Sequence, residues 1–191
     1  GQAQCVLGNH ELSVLRGDQK TGNGWFFADN KDQSHKDFRH CRAASADQRE
    51  QFGSFIASLP LTLSRDDLRV VHAAWHPASL LALAADAGSQ PLTDIYREYG
   101  RHAEQWAQES ALKHAAGNEY RLWHAQLDDE HASVPLLQAI GRMDEHFQMS
   151  NPVRVLTSGV EQLASRTFYA SGKWRMVERV AWWDDYQEPT P

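Results

Sequence analysis

The sequence predicts a mixed fold of helices and strands, of the α/β (α+β) class. Short apolar segments that favour β-strands alternate along the chain with longer segments of helical periodicity, and this interleaving is typical of the class. The composition supports a folded core, because 41% of the 191 residues are hydrophobic and 23% are charged. That length suits one ordinary domain, so we expect a single domain over residues 1–191.

The first part of the chain alternates short strands and helices around one polar loop. Residues 3–7 are apolar and β-compatible and run into Gly8, which predicts a buried strand followed by a turn. Residues 17–40 are rich in Gly, Asp, Asn, Lys and His, which is typical of a loop. The other elements expected here are helices over 10–15 and 46–57 and strands over 59–63 and 68–71.

The rest of the chain is mainly helical and returns to β character near its end. Pro77 stands where a helix would have its first turn, a position that tolerates proline. The elements expected are helices over 77–87, 92–116 and 135–147, and strands or strand edges over 153–156 and 174–183.

Charge and cysteine usage narrow the functional classes. The net charge of −6 makes unspecific binding to nucleic acid or to an anionic membrane surface a poor hypothesis. Cys5 and Cys41 allow at most one disulfide, and without a Cys-x-x-Cys pair we expect reduced, buried thiols in a cytoplasmic protein. The chain has no run of 18 apolar residues and no signal-peptide pattern at its start, so no membrane association is expected.

The sharpest local feature is the tetrapeptide Gly8-Asn9-His10-Glu11, directly after the first expected strand. An Asn side-chain oxygen is a suitable ligand for a divalent metal ion, and an adjacent His can face the substrate. The small Gly8 lets the backbone turn sharply before these groups. The alternative is an ordinary turn in which Asn9 caps a helix.

A second feature lies about 60 residues further on, where the strand over 68–71 ends at His72 and is followed by Ala73. A histidine directly after a strand, followed by a small residue, is a typical position for a metal ligand at the carboxyl edge of a sheet. Taken alone, His72 is better explained as a partly buried histidine with satisfied hydrogen bonds. The two features together, at this separation, are much more specific for a metal site.

The tetrapeptide at 8–11 and Val70-Val71-His72-Ala73 resemble the third and fourth motifs of the calcineurin-like metallophosphoesterases. The nearest branch holds the protein serine/threonine phosphatases and the symmetrical diadenosine tetraphosphatases. Residues 168–175 also resemble a bacterial metallophosphoesterase subgroup. The resemblance implies part of a β-sandwich flanked by helices, with a helical insertion or cap over residues 93–148.

The resemblance also implies roles for individual residues. Asn9 and His72 match ligands of the second metal ion, and His10 matches the histidine that acts as general acid or as electrostatic partner of the leaving oxygen. Glu11 matches a structural position. The family uses two divalent ions, Mn, Fe or Zn, to hydrolyse a phosphoester or phosphoanhydride. The expected partner is therefore a phosphorylated substrate, either a phosphoprotein or a nucleotide, and the oligomeric state is left open.

Several family motifs have no counterpart in this sequence. In the family, Asp-x-His and Gly-Asp-x-x-Asp-Arg-Gly precede the third motif and a Gly-His segment follows the fourth, whereas only seven residues precede Gly8. With the missing initiator Met, this predicts an internal stretch of a longer protein that lacks its N-terminal and C-terminal motifs. Because two ligands hold a metal poorly, we expect the chain alone to bind Mn²⁺ weakly or not at all and to be inactive.

Two other interpretations of the motifs remain open. In the first, the chain is a non-catalytic interaction module that keeps the phosphoesterase scaffold. In the second, it is an unrelated α/β domain in which the match to the motif is accidental. The second of these predicts that Asn9 and His72 lie far apart.

The remaining histidine candidates are weaker. His76 is a candidate site-lining residue, although a strand end does not force its ring to converge with that of His72. His35, His40 and Cys41 lie in the polar loop, where a zinc site would need a fourth ligand and better-defined spacing.

The acidic and tryptophan-rich segments have simple structural explanations. Residues 128–131 and 144–146 are expected to be solvated helix ends. Trp174, Trp182 and Trp183 are expected to pack in the core or at its edge, with nucleobase stacking as the alternative.

Overall fold

The computed structural model describes residues 3–19, 22–27, 42–86, 88, 90–184 and 186. The chain divides into two compact units, Gly1–His72 and Ala73–Pro191, and each contains both helices and strands. The mixed helix-and-strand class is therefore confirmed. The described strands form two separate two-stranded antiparallel sheets, so the β-sandwich stays a prediction, as do the single domain and the insertion over 93–148. Among the described residues, no helix combines the length and the apolarity needed to cross a bilayer.

The first unit contains the two elements that carry the candidate site residues, a helix that begins at Asn9 and a strand that ends at Val71. Its elements are α1 (Asn9–Leu15), α2 (Gly24–Phe27), α3 (Ala46–Ala57), β1 (Thr62–Arg65) and β2 (Leu68–Val71). A capping box starts α3, because the Ser45 hydroxyl accepts from the Gln48 N–H at 3.2 Å and the Gln48 side chain accepts from the Ser45 N–H at 3.0 Å. β1 and β2 form a hairpin that ends directly before His72.

The expected strand over residues 3–7 is wrong. The Leu7 N–H donates to the Pro60 carbonyl at 2.8 Å and Leu7 is buried, but the segment joins no sheet. A strand requires a ladder of such bonds with a neighbour, and apolar character alone does not supply the neighbour. Cys5 is exposed, so the expectation of buried thiols fails there, and Cys41 lies outside the described residues.

The other expectations for this unit are mostly confirmed. The helices over 10–15 and 46–57 and the strand over 68–71 are present, and β1 begins three residues after the expected start at residue 59. The expected loop over 17–40 contains the short α2, and residues 28–41 lie outside the described part.

The second unit packs helices against a long hairpin. Its elements are α4 (Pro77–Asp86), α5 (Leu92–Glu109), α6 (Ala111–Trp123), α7 (Gln138–Met149), α8 (Pro152–Ser158), β3 (Glu161–Ala170) and β4 (Lys173–Arg179). Ser171 and Gly172, with φ of 51° and 78°, form the tight turn between the strands, as hairpins with two-residue loops require. α7 packs on both strands, and Val134, Leu137 and Met176 form a buried cluster.

Two expectations for this unit are corrected by local capping. The helix expected over 92–116 is broken at Ser110, which is extended and whose hydroxyl accepts from the Leu112 N–H at 3.0 Å to start α6. The strand expected over 153–156 is instead helix α8, because the Asn151 side chain caps its first turn and Pro152 occupies the first helical position. β3 was not expected, while β4 falls within the strand expected over 174–183 apart from its first residue.

Candidate functional site

The tetrapeptide turn and the end of β2 meet in the first unit. A Cβ atom built on Gly8 would lie 2.7 Å from both Cε1 and Nδ1 of His72, and 2.7 Å from Oε2 of Glu11. The backbone at Gly8 is extended, with φ of −102°, which any residue can adopt. A side chain at this position would therefore displace the His72 ring and the Glu11 carboxylate, whereas the sharp turn that the sequence suggested does not need glycine.

Asn9 directly follows Gly8 in the chain, and its side chain does not cap helix α1. It is the first residue of α1, but Gly8 occupies the N-cap position and no side chain caps the helix, so the helix-cap alternative for Asn9 is wrong. Asn9 is half-buried, and within the described part of the chain no hydrogen bond engages its amide. The amide oxygen is thus available as a ligand.

The two histidines of the motifs both face solvent. His10 and His72 are exposed, and neither ring has a hydrogen-bond partner among the described residues. The partly buried, hydrogen-bonded alternative for His72 is therefore wrong. Exposure gives His10 the access to water and substrate that a proton donor needs, and it leaves the His72 ring free to ligate.

The donor chemistry at this turn suits a divalent cation only in part. An amide oxygen from Asn9 and an imidazole nitrogen from His72 are suitable ligands. However, the described residues contain no group of three or more His, Cys, Asp or Glu side chains that could hold a metal ion. Two ligands do not make a tight site, so this turn can contribute to a metal centre but cannot form one alone.

His76 has a structural use at the start of α4. Its Nδ1 accepts from the Ser79 N–H at 3.3 Å and lies 2.8 Å from the Ser79 hydroxyl. This interaction satisfies part of the first helical turn, where backbone N–H groups lack helical partners. The loop candidates His35, His40 and Cys41 lie outside the described residues.

The two acidic segments differ. Residues 128–131 are all exposed, as expected, but they lie in a turn beyond the end of α6 and not at a helix end. In contrast, His146 stacks on Trp106 at 3.9 Å, its Nε2 donates to the Ala103 carbonyl at 3.1 Å and its Nδ1 accepts from Ser150 at 3.1 Å. The expectation of a solvated helix end is therefore wrong for His146.

The carboxylate of the second acidic segment has a shifted pKa. Partial burial raises the pKa of Asp144 above its ordinary value, against the opposing effect of the nearby cations Lys173, Arg175 and Arg154. The cause is desolvation of the charged form by neighbouring atoms, although Asp144 itself is exposed to solvent.

The tryptophans mostly pack as expected. Trp174 and Trp182 are half-buried, and their indole N–H groups donate to the carbonyls of Asp129 and Ala73, each at 2.9 Å. Trp183 differs, because 63% of it is exposed.

Two features of the second unit were not predicted from the sequence. The Glu119 carboxylate accepts from the backbone N–H groups of Ala139 and Ile140, at 3.1 and 2.9 Å, and so caps α7 from a neighbouring helix. A cavity is also lined by consecutive residues of β4. The alternation of Lys173 and Arg175 on a strand was the available signal for the cavity, whereas nothing local indicates the cap.

Comparisons of the chain with protein-family models, with curated proteins and with solved structures found no match. Function is therefore inferred from the arrangement of the site residues.

Proposed function

We propose that the chain contributes part of the active site of a metal-dependent hydrolase of phosphoesters or phosphoanhydrides, of the calcineurin-like type. The approach of the His72 ring to Gly8 supports this most strongly. It brings a strand-end histidine to the helix start that carries Asn9 and His10, across about 60 residues of sequence. An accidental motif match gives no reason for these segments to meet.

Each residue has a defined role in this proposal. The Asn9 amide oxygen and a His72 ring nitrogen ligate one of two divalent ions, Mn, Fe or Zn. Such a pair of ions lowers the pKa of a bound water and orients the phosphoryl group for in-line attack. His10 protonates or stabilises the leaving oxygen. The substrate is a phosphoprotein or a nucleotide, and the cysteine usage favours a cytoplasmic location.

The assigned ligands can be tested by titrating the isotope-labelled chain with Mn²⁺ and following NMR line broadening. We expect the His72 ring and the Asn9 side-chain amide to broaden at lower Mn²⁺ concentrations than the exposed rings of His102 and His114. Asn9→Ala should then weaken the broadening at His72, because both groups bind the same ion. Equal broadening of all histidine rings would overturn the assignment.

Catalysis needs a separate test, because a weak metal site need not be an active one. Residues 1–191 alone are expected to hydrolyse 4-nitrophenyl phosphate with Mn²⁺ at the background rate, and hydrolysis abolished by His10→Ala would contradict this expectation. In a polypeptide that also includes the neighbouring encoded segments, His10→Ala should lower kcat by about 10²-fold or more, the usual contribution of a general acid. The control His102→Ala should leave kcat unchanged.

The alternative function is a non-catalytic interaction module on the same scaffold. It keeps the contact between Gly8 and the His72 ring but uses these segments for binding alone. It predicts no hydrolysis even when the neighbouring segments are present. Activity that depends on His10 and His72 in that longer polypeptide would exclude it.

A further inference from the structure

The second unit contains a cavity that the proposed hydrolase site does not use. Its volume is about 530 Å³, which is within the range of sites for small molecules. Leu127, Ile140 and Met143 give it an apolar wall, and five consecutive residues of β4, from Lys173 to Val177, complete another side. The combination of an apolar wall and a few charged groups is typical of a ligand site.

Helix α6 presents an open aromatic surface to this cavity. Gly117, Tyr120 and His124 line it at intervals of three or four residues, which places them on one face of the helix. Tyr120 is 56% exposed, and its ring lies 5.6 Å from that of His124 with an interplanar angle of 34°. A Cβ built on Gly117 meets nothing within 4 Å, so the wall is open there. A planar ring has both the space and an aromatic partner at this face.

The cations of the cavity have unused donors. Within the described part of the chain, Lys173 forms no ion pair, and Arg175 uses only its Nε, which donates to the Ala170 carbonyl at 3.1 Å. The ammonium of Lys173 and the terminal nitrogens of Arg175 therefore remain available to an acceptor. Guanidinium and ammonium donors bind carboxylate, sulfonate and phosphate groups more strongly than neutral acceptors.

The carboxylates of the cavity do not occupy the donors of Lys173 and Arg175. Asp128 and Asp144 also line the cavity, but both are exposed, so water screens their charges. Among the described residues, neither carboxylate forms an ion pair with Lys173 or Arg175. Arg175 is half-buried, so water screens its charge less. The cavity therefore favours a negative ligand group.

We propose that this cavity binds a small organic anion with a planar aromatic body. The ring lies against Tyr120 and the apolar wall, and the acidic group accepts hydrogen bonds from Lys173 and Arg175. The cavity lies wholly within the second unit, so this proposal stands independently of the hydrolase function.

Two probes with the same ring and opposite charges test the proposal. Naphthalene-1-sulfonate and 1-naphthylmethylamine are titrated into the chain and followed by calorimetry and by NMR of the Trp174 indole N–H. We expect the sulfonate to bind at least about tenfold more tightly than the amine, since one charge-assisted contact is worth about that factor. Amine binding as tight as sulfonate binding, or no sulfonate binding at millimolar concentration, overturns the proposal.

Three variants locate the bound probe. Lys173→Ala and Arg175→Ala should each weaken sulfonate binding about tenfold. Gly117→Leu fills the open wall with a good helix-forming residue and should abolish binding of the sulfonate. Arg121→Ala, on α6 but outside the cavity, should leave binding unchanged. Circular dichroism confirms that each variant is folded, and sulfonate binding that survives Gly117→Leu and both cation substitutions overturns the proposed site.

Discussion

Replacing Gly8 with Ala tests the contact that supports the proposed hydrolase site. The new methyl group would start 2.7 Å from two atoms of the His72 ring and from the Glu11 carboxylate. Ordinary contacts between carbon atoms lie at about 3.5–4.0 Å, so the ring has to move by about 1 Å. A metal ligand has to be held within about 0.5 Å of its working position, so this displacement is enough to weaken ligation.

The cost in stability is expected to be small. His72 is exposed and its ring can rotate away, and the extended backbone at Gly8 accepts Ala without strain. Ala is a poorer N-cap than Gly, which costs about 0.5–1 kcal/mol of helix stability. Gly8→Ala should therefore lower the free energy of unfolding by about 1 kcal/mol in urea denaturation while changing the site markedly.

The assay compares the His72 ring nitrogens by NMR in the two proteins, with and without Mn²⁺. Gly8→Ala should shift these signals and reduce their broadening by Mn²⁺. The matched control is Gly100→Ala in α5, where a Cβ meets nothing within 4 Å; it should stabilise the chain by about 0.5–1 kcal/mol and leave His72 unchanged. Unaltered His72 signals in Gly8→Ala would refute the close approach of the two segments.

Three further predictions concern the second unit. Glu119→Ala removes the acceptor for two backbone N–H groups at the start of α7 and should lower the free energy of unfolding by about 1–2 kcal/mol in urea, with Glu119→Gln losing less. Gly141→Ala places a Cβ 3.0 Å from the backbone carbonyl oxygen of Met176, which cannot rotate away, and should cost about 1–3 kcal/mol by thermal unfolding. Desolvation raises the pKa values of Asp144 and Glu161 in the folded chain above their ordinary values of 3.8 and 4.5. Protonation of these two groups therefore stabilises the fold fully below the ordinary pKa values, and this stabilisation is lost as the pH rises through the pKa values of the folded chain. The stability gain of the double variant Asp144→Asn, Glu161→Gln over the parent should therefore grow between pH 4 and 7, and parallel urea-stability curves would contradict the assignment.

The sequence by itself determined the elements whose signals are local. The helix over 46–57 was predicted to the residue from its apolar face, because helical periodicity acts within one or two turns. The strand that ends at His72 was predicted for the same reason, since β-favouring residues on both sides of a short turn pair with each other. The candidate residues Asn9, His10 and His72 could also be named from the sequence, as residue types suited to metal and proton chemistry.

Only the tertiary structure decided which of these residues meet and what surrounds them. Residues 3–7 form no strand because no neighbouring strand pairs with them, and the ring that closely approaches Gly8 belongs to His72, far away in the sequence. Likewise, the capping of α7 by Glu119 and the cavity beside Lys173 and Arg175 arise from segments far apart in the chain. Periodicity reports which face of a segment is apolar, but the partner of that face is fixed by packing of the whole unit, which no local pattern encodes.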